Sequence, residues 1–212
     1  MKRNYQKDLD RTIAELEGQG KVPTLLLHSC CAPCSSYVLE YLSRYFSVTV
    51  FYYNPNITDE AEYRHRVSEQ RRLIAELPAK HPVSFAEGRY EPERFFEAVR
   101  GLEQIPEGGA RCRKCFELRL SETAKLAAAR GADYFTTTLT ISPLKNAEVL
   151  NEIGEQVAAE CGGAAFLPSD FKKRDGYKRS IELSAQYGLY RQDYCGCVFS
   201  KRESEARRNL QT

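Results

Sequence analysis

The stretch "LLLHSCCAPCSSYVLEYL", Leu25 to Leu42, decides how this chain folds. Val22 to His28 reads as a strand buried on both faces, because its apolar run does not alternate with polar residues. Ser35 to Tyr45 reads as an amphipathic helix, with Val38, Leu39, Leu42 and Phe46 on one side. Between the two lie Cys30, Cys31 and Cys34, three thiols at the turn from strand to helix.

The same alternation continues outward. Tyr5, Leu9, Ile13 and Leu16 recur at helical spacing and predict an N-terminal helix within residues 1–20. "SVTVFYYNPN" (47–56) predicts a second strand, stopped by Asn54-Pro55. Thr58 or Asp59 caps a long helix to about Leu77, and Pro78 marks its end. "PVSFAEG" (82–88) predicts a strand and "YEPERFFEAVRGL" (90–102) a helix. Cys112 opens a helix through Phe116, Leu120, Ala124 and Ala127, closed by Gly131. "DYFTTTLTIS" (133–142) is a strand, 143–161 a helix, and "AAFLPSD" (164–170) a strand. Strands alternating with helices of this length predict an α/β fold: a parallel sheet with helices on both faces. The expected organisation is a single α/β domain over 1–212, with a mostly helical segment at 170–212 that carries the C-G-C and packs on the site.

Composition narrows the function classes. The chain has 212 residues, 42% hydrophobic, with a net charge of +2, so no global field draws in polyanions. Basic residues concentrate locally instead, at "RCRK" (111–114), "KKRDGYKR" (172–179) and "KRESEARR" (201–208). No apolar run reaches the ~18 residues of a membrane span, and the charged first residues do not form a secretory signal. A cytoplasmic protein with no membrane partner is the expectation. In that reducing compartment eight cysteines point to metal or redox chemistry rather than to structural disulfides.

Seven of the eight fall in "CCAPC", "CRKC" and "CGC". Ligands of open α/β sheets bind beyond the carboxyl ends of the strands, where "CCAPC" lies. That loop has no phosphate-cradling glycine motif. Cys112 and Cys115, at i and i+3, share one face at a helix N-terminus. The helix dipole with Arg111, Arg113 and Lys114 is expected to depress their pKa. Several thiolates together need a neutralising partner, since two charges ~4 Å apart repel by ~4 kcal/mol at an effective dielectric of ~20. Iron–sulfur clusters and zinc are the candidates. Seven thiols are too many for one closed tetrahedral zinc site. Cys195 and Cys197 form either a redox-active disulfide or a pair of ligands, for a second metal that Cys34 also serves. Cys161 reads as an apolar thiol outside the site.

Six segments in order carry a family resemblance: "LLLHSCCAPCSS", "YYNPNI" followed by "EYRHR", "RCRKCFELRL", "TTTLTISPLKN", "SDFKKRDGYKRS" and "YRQDYCGCVFS". They resemble the cobalamin-independent epoxyqueuosine reductases of the small metalloprotein type. The resemblance implies a Rossmann-like (HUP-like) fold. It also implies reduction of epoxyqueuosine to queuosine at the wobble position of tRNA, with Asp, Asn, His and Tyr acceptors, and an unspecified electron donor. It assigns Cys30, Cys31, Cys112 and Cys115 to a [4Fe–4S] cluster, and Cys195 and Cys197 to a redox-active disulfide or a second iron. It leaves the role of Cys34 open. In the matching segments, Asn54, Tyr63, Arg66, Ser142, Lys145, Lys172, Arg179 and Arg191 are candidate substrate and tRNA ligands. Asp170 and Tyr194 are candidate proton donors, Lys173 a phosphate contact, and Tyr52, Tyr53 and Tyr190 candidate stacking platforms unless they are core. The competing readings are a tRNA-thiolating enzyme of the same fold and a zinc-stabilised RNA-binding module.

Overall fold

The structure, a computed structural model, describes residues 3–209, so the extreme ends of the expected 1–20 and 170–212 segments lie outside the described residues. The elements in chain order are α1 (Tyr5–Gly18), β1 (Thr24–His28), α2 (Ala32–Leu42), β2 (Ser47–Tyr52), α3 (Glu60–Glu76), β3 (Val83–Glu87) and α4 (Pro92–Ala98). There follow α5 (Ala110–Ala129), β4 (Tyr134–Thr137), a 3-10 turn (Thr138–Ile141), α6 (Ala147–Cys161), β5 (Ala165–Phe166), α7 (Gly176–Gln186) and α8 (Val198–Asn209). The five strands form one sheet in the order β3-β2-β1-β4-β5, every pair parallel. This is the expected α/β, Rossmann-like architecture.

Side-chain parity in β1 sorts the helices between the faces. Leu25 and Leu27 point to one core with α1, α2 and Leu73 of α3. Leu26 points to the other, with Phe116, Leu120 and Ala124 of α5 and Leu150 and Ile153 of α6. His28 has the parity of Leu26, so the end of β1 delivers a histidine to the α5 face. Leu9, Ile13 and Leu16 of α1, Val38, Leu39 and Leu42 of α2, and Phe46 beyond it are buried in the first core, while Tyr5 is buried outside it.

Several elements are shorter than the sequence expectation, and three boundaries near the site differ for a local reason. Helix α2 begins at Ala32 rather than Ser35, because Cys31 holds the extended backbone of an N-cap and Pro33 sits in the first turn. Cys34 therefore belongs to the helix, not to the loop. Strand β4 ends at Thr137, whose side-chain oxygen accepts a hydrogen bond from the Leu139 amide and starts the 3-10 turn. Helix α5 opens at Ala110, which places Cys112 inside its first turn.

The strand order reverses at β1, with β2 on one side and β4 on the other. The crevice at such a switch point opens between the two loops that leave it. Here these are the thiol loop after β1 and the 3-10 turn after β4, joined by a hydrogen bond from the Cys30 amide to Thr138 Oγ1 (3.3 Å). Leu39, fully buried on α2, packs the helix that carries Cys34 onto the sheet. Leu39→Ala is expected to lower stability by about 2–5 kcal/mol. Urea unfolding checks it, as a lower midpoint at unchanged slope.

Candidate metal centre

The Sγ atoms of Cys30, Cys31 and Cys34 all lie within 4.8 Å of one another. Those of Cys30 and Cys31 are 3.7 Å apart. Two thiolates on one tetrahedral ion, each at ~2.3 Å, stand about 3.8 Å apart, so this spacing suits a shared cation. Among the described residues no other group of three Cys, His, Asp or Glu is gathered so closely. Hydrogen bonds from Cys31 and Cys34 hold the Cys30 thiol well below its ordinary pKa. The same pairing pushes Cys31 up to about 12 and raises Cys34 as well. A bound cation would displace the two retained protons.

Cys112, Cys115, Cys195 and Cys197 line one pocket. It adjoins a cleft lined by Cys30, Cys31 and Cys34. Cys195, Lys145, Leu144 and Glu107 line both spaces. The thiols thus divide into a group of three and a group of four, with Cys195 at the border. The implied cluster ligands are split accordingly: Cys30 and Cys31 stand with Cys34, and Cys112 and Cys115 stand with the C-G-C. Cys195 and Cys197 are free thiols. Gly196 between them has φ +118°, and a Cβ there would meet Ile57 Cγ1 at 2.8 Å, so only glycine fits the turn. Cys161 packs into the α5–α6 core, away from both groups.

The expected depression of the Cys112 and Cys115 pKa values is reversed. Burial raises Cys112 and pushes Cys115 up to about 12. The neighbouring cations are committed elsewhere. Arg111 pairs with Glu203 of α8 (2.9 Å) and donates to the carbonyls of Glu103 and Ile105. Arg113 and Lys114 both pair with Glu117.

The thiol loop rests on buried polar residues. Asn54 Nδ2 donates to the Ser29 carbonyl (2.9 Å), and Ser29 Oγ donates to Gln70 of α3 (2.7 Å). Asn54 Oδ1 accepts from Arg119 Nη2 of α5 at 2.5 Å. Arg119 Nε donates to His28 Nε2 (3.2 Å), which fixes the histidine as the tautomer whose Nδ1–H donates to Thr137 Oγ1 (2.8 Å). Full burial, with the Arg119 charge beside it, holds the His28 pKa at about 3, so the ring is neutral. Sequence reading missed Arg119, although its i+4 spacing from Cys115 already places both on one helix face.

The remaining candidates are dispersed. Arg66, Ser142, Lys145, Arg191 and Tyr194 line the cleft of Cys30, Cys31 and Cys34. The Arg66 guanidinium lies 5.2 Å from the Tyr194 ring centre and pairs with Glu62. Tyr63 is core, its hydroxyl on the Gly88 carbonyl. Asn54 is buried beneath the loop and faces no open space. Asp170 pairs with Lys172 (3.0 Å) in a neighbouring groove, which Lys145 also lines. Arg179 is held by both oxygens of Glu40. Tyr52 and Tyr53 are buried core residues, so neither offers a stacking face, whereas Tyr190 is exposed against His65. His28→Ala would leave buried Arg119 Nε without its acceptor and remove one of the two partners of the Thr137 hydroxyl. It is expected to cost about 1–3 kcal/mol, read from urea unfolding of the metal-free protein.

Similarity to known proteins follows the same segments. The family description "Epoxyqueuosine reductase QueH" matches residues 25–203. Curated proteins named epoxyqueuosine reductase QueH are similar along most of their length. The one from Staphylococcus epidermidis is 45% identical over 93% of this chain and 84% of its own. That from Streptococcus pyogenes is 44% identical over 93% and 78%. That from Thermotoga maritima is 37% identical over 86% and 94%. A chain with thiols gathered at the sheet's switch point and this breadth of similarity belongs to the epoxyqueuosine reductase QueH family.

Proposed function

We propose that this protein reduces epoxyqueuosine to queuosine at the wobble position of tRNA, with Cys30, Cys31, Cys34, Cys112, Cys115, Cys195 and Cys197 holding a [4Fe–4S] cluster and a second iron. The observation that carries this reading is the meeting of two thiol groups in adjoining spaces at the carboxyl edge of the sheet. Turning an epoxide into an alkene and water takes two electrons and two protons. A bound cluster supplies electrons singly, and a thiolate-bound iron beside it supplies a Lewis acid for the epoxide oxygen.

The chain supplies the rest. Tyr194 is the proton donor this reading favours: its phenol lines the cleft, and burial raises its pKa, so it arrives protonated. Asp170 is the weaker candidate, being tied to Lys172 outside the cleft. Lys145 keeps its proton: burial works against it, but the sulfurs of Cys195, Cys30 and Cys34 beside it, thiolates once they ligate a metal, outweigh burial. Its ammonium, lining both spaces, would stabilise an alkoxide as the C–O bond breaks. Exposed Arg191 at the cleft, and exposed Lys173 at the groove of Asp170, meet tRNA phosphates, and Tyr190 stacks against a base. The tRNA acceptors for Asp, Asn, His and Tyr are the substrates this reading implies. The thiolating alternative lacks support in the β1–α2 loop, where thiols stand in place of phosphate-binding glycines.

Protein prepared without oxygen is expected to contain iron and sulfide, and to convert epoxyqueuosine tRNA when a reductant is supplied. Cys30→Ser is expected to lose iron and fall to background turnover. A fully loaded protein that leaves the substrate unchanged would refute the reading, and zinc without iron would favour the RNA-binding module. Arg191→Gln is expected to weaken tRNA binding evenly across sequences and to lower the slope of log affinity against log salt by ~1, measured by filter binding.

A further inference from the structure

Three arginines are almost completely buried: Arg66, Arg111 and Arg119. Two of them have a carboxylate. Arg66 pairs with Glu62 at 2.7 Å and Arg111 with Glu203 at 2.9 Å. Arg119 has none among the described residues. Its partners are the amide oxygen of Asn54 (2.5 Å), the neutral imidazole of His28 (3.2 Å) and the thiol of Cys115 (3.9 Å). A guanidinium stays charged in a protein, and an isolated buried charge is costly. Some negative group must therefore face it. The sulfurs that face Arg119 are that of Cys115, at 3.9 Å, and, farther off, those of Cys195 and Cys30, which become thiolates once they ligate a metal. These belong to both thiol groups, so α5 sets one fixed cation beside the two adjoining spaces.

We propose that Arg119 is the counter-cation of the thiolate-held centre. Its unpaired guanidinium charge offsets the thiolates and makes the addition of an electron to the centre more favourable. The inference rests on the iron–sulfur reading above. Reduction adds negative charge to a site that is already net negative, and a fixed cation in a dry surrounding favours the more negative state. Arg119 is a positioning residue in this role: it acts through Cys115 and the thiol loop, and needs no contact with substrate. The same charge explains why its other two partners are neutral acceptors. A carboxylate in place of Asn54 would cancel the field that the thiols otherwise receive.

The test compares wild type, Arg119→Gln and Arg119→Lys, all prepared without oxygen, by iron content and by midpoint potential from a mediated reductive titration. Arg119→Gln is expected to shift the potential to more negative values, with Arg119→Lys near wild type. Arg119→Gln with full iron and an unshifted potential overturns the inference and leaves the iron–sulfur reading standing. If Arg119→Gln cannot hold iron, Arg119→Lys decides. Iron retained by the lysine variant supports a requirement for charge. Iron lost equally from both means that guanidinium packing, not charge, is what the site needs, and overturns it. Wild-type protein without iron removes the reading itself, and the inference with it.

Discussion

The hydrogen bond from Arg119 to Asn54 is the tie on which the site depends. It joins the middle of α5 to Asn54, two residues beyond the end of β2, across the end of β1. Asn54 passes the constraint to the Ser29 carbonyl, and so to the backbone one residue before Cys30. On the other face of the sheet, Gln70 takes the Ser29 and Ser35 hydroxyls. Thr138 takes the Cys30 amide. A strand-to-helix loop without glycines is thereby held from three sides by buried groups. Each is worth more in this low-dielectric interior than on a surface, and each is costly to leave unpaired.

Sheet topology explains why thiols eighty residues apart in sequence reach the same place. The strand order turns at β1, so the loops after β1 and β4 diverge and leave a crevice between them. Cys30, Cys31 and Cys34 line one part of it. Helix α5, packed on the Leu26 side of the sheet, brings Cys112 and Cys115 to the other. The C-G-C arrives last. It is seated by Gly196 against Ile57 and by the Cys195 carbonyl, which accepts from Arg66 at 3.4 Å. A cleft made from four separate segments has no rigidity of its own and takes it from the cores on either face.

The basic residues serve two different ends. Those in "RCRK" are spent on structure: Arg111 anchors α8 through Glu203, while Arg113 and Lys114 pair along α5. The Arg111 charge pulls Cys112 and Cys197 down, but burial outweighs it and leaves both raised, as it does Cys115. The cations that face the thiols are Arg119 below the centre, Lys145 lining both spaces, and Arg66 in the cleft of Cys30, Cys31 and Cys34. Among the described residues Arg66 is paired with Glu62, whereas Arg119 and Lys145 have no carboxylate partner and are the uncompensated cations of the site.

The sequence by itself determined the alternation of strands and helices, the parallel sheet and the three cysteine clusters. These depend on local periodicity and spacing, which are legible along the chain. It also carried the family, through "HSCCAPC", "CRKC" and "YCGC" in order. Only the tertiary structure decided how the thiols are grouped, that Cys34 stands in a helix beside Cys30 and Cys31, and that Asn54 and Tyr63 are buried supports. It alone separated the arginines that have carboxylates from Arg119, which has none. The reason is physical: a residue's charge state and role depend on which groups desolvate it and which compensate it. Those neighbours come from strands and helices that are distant in sequence.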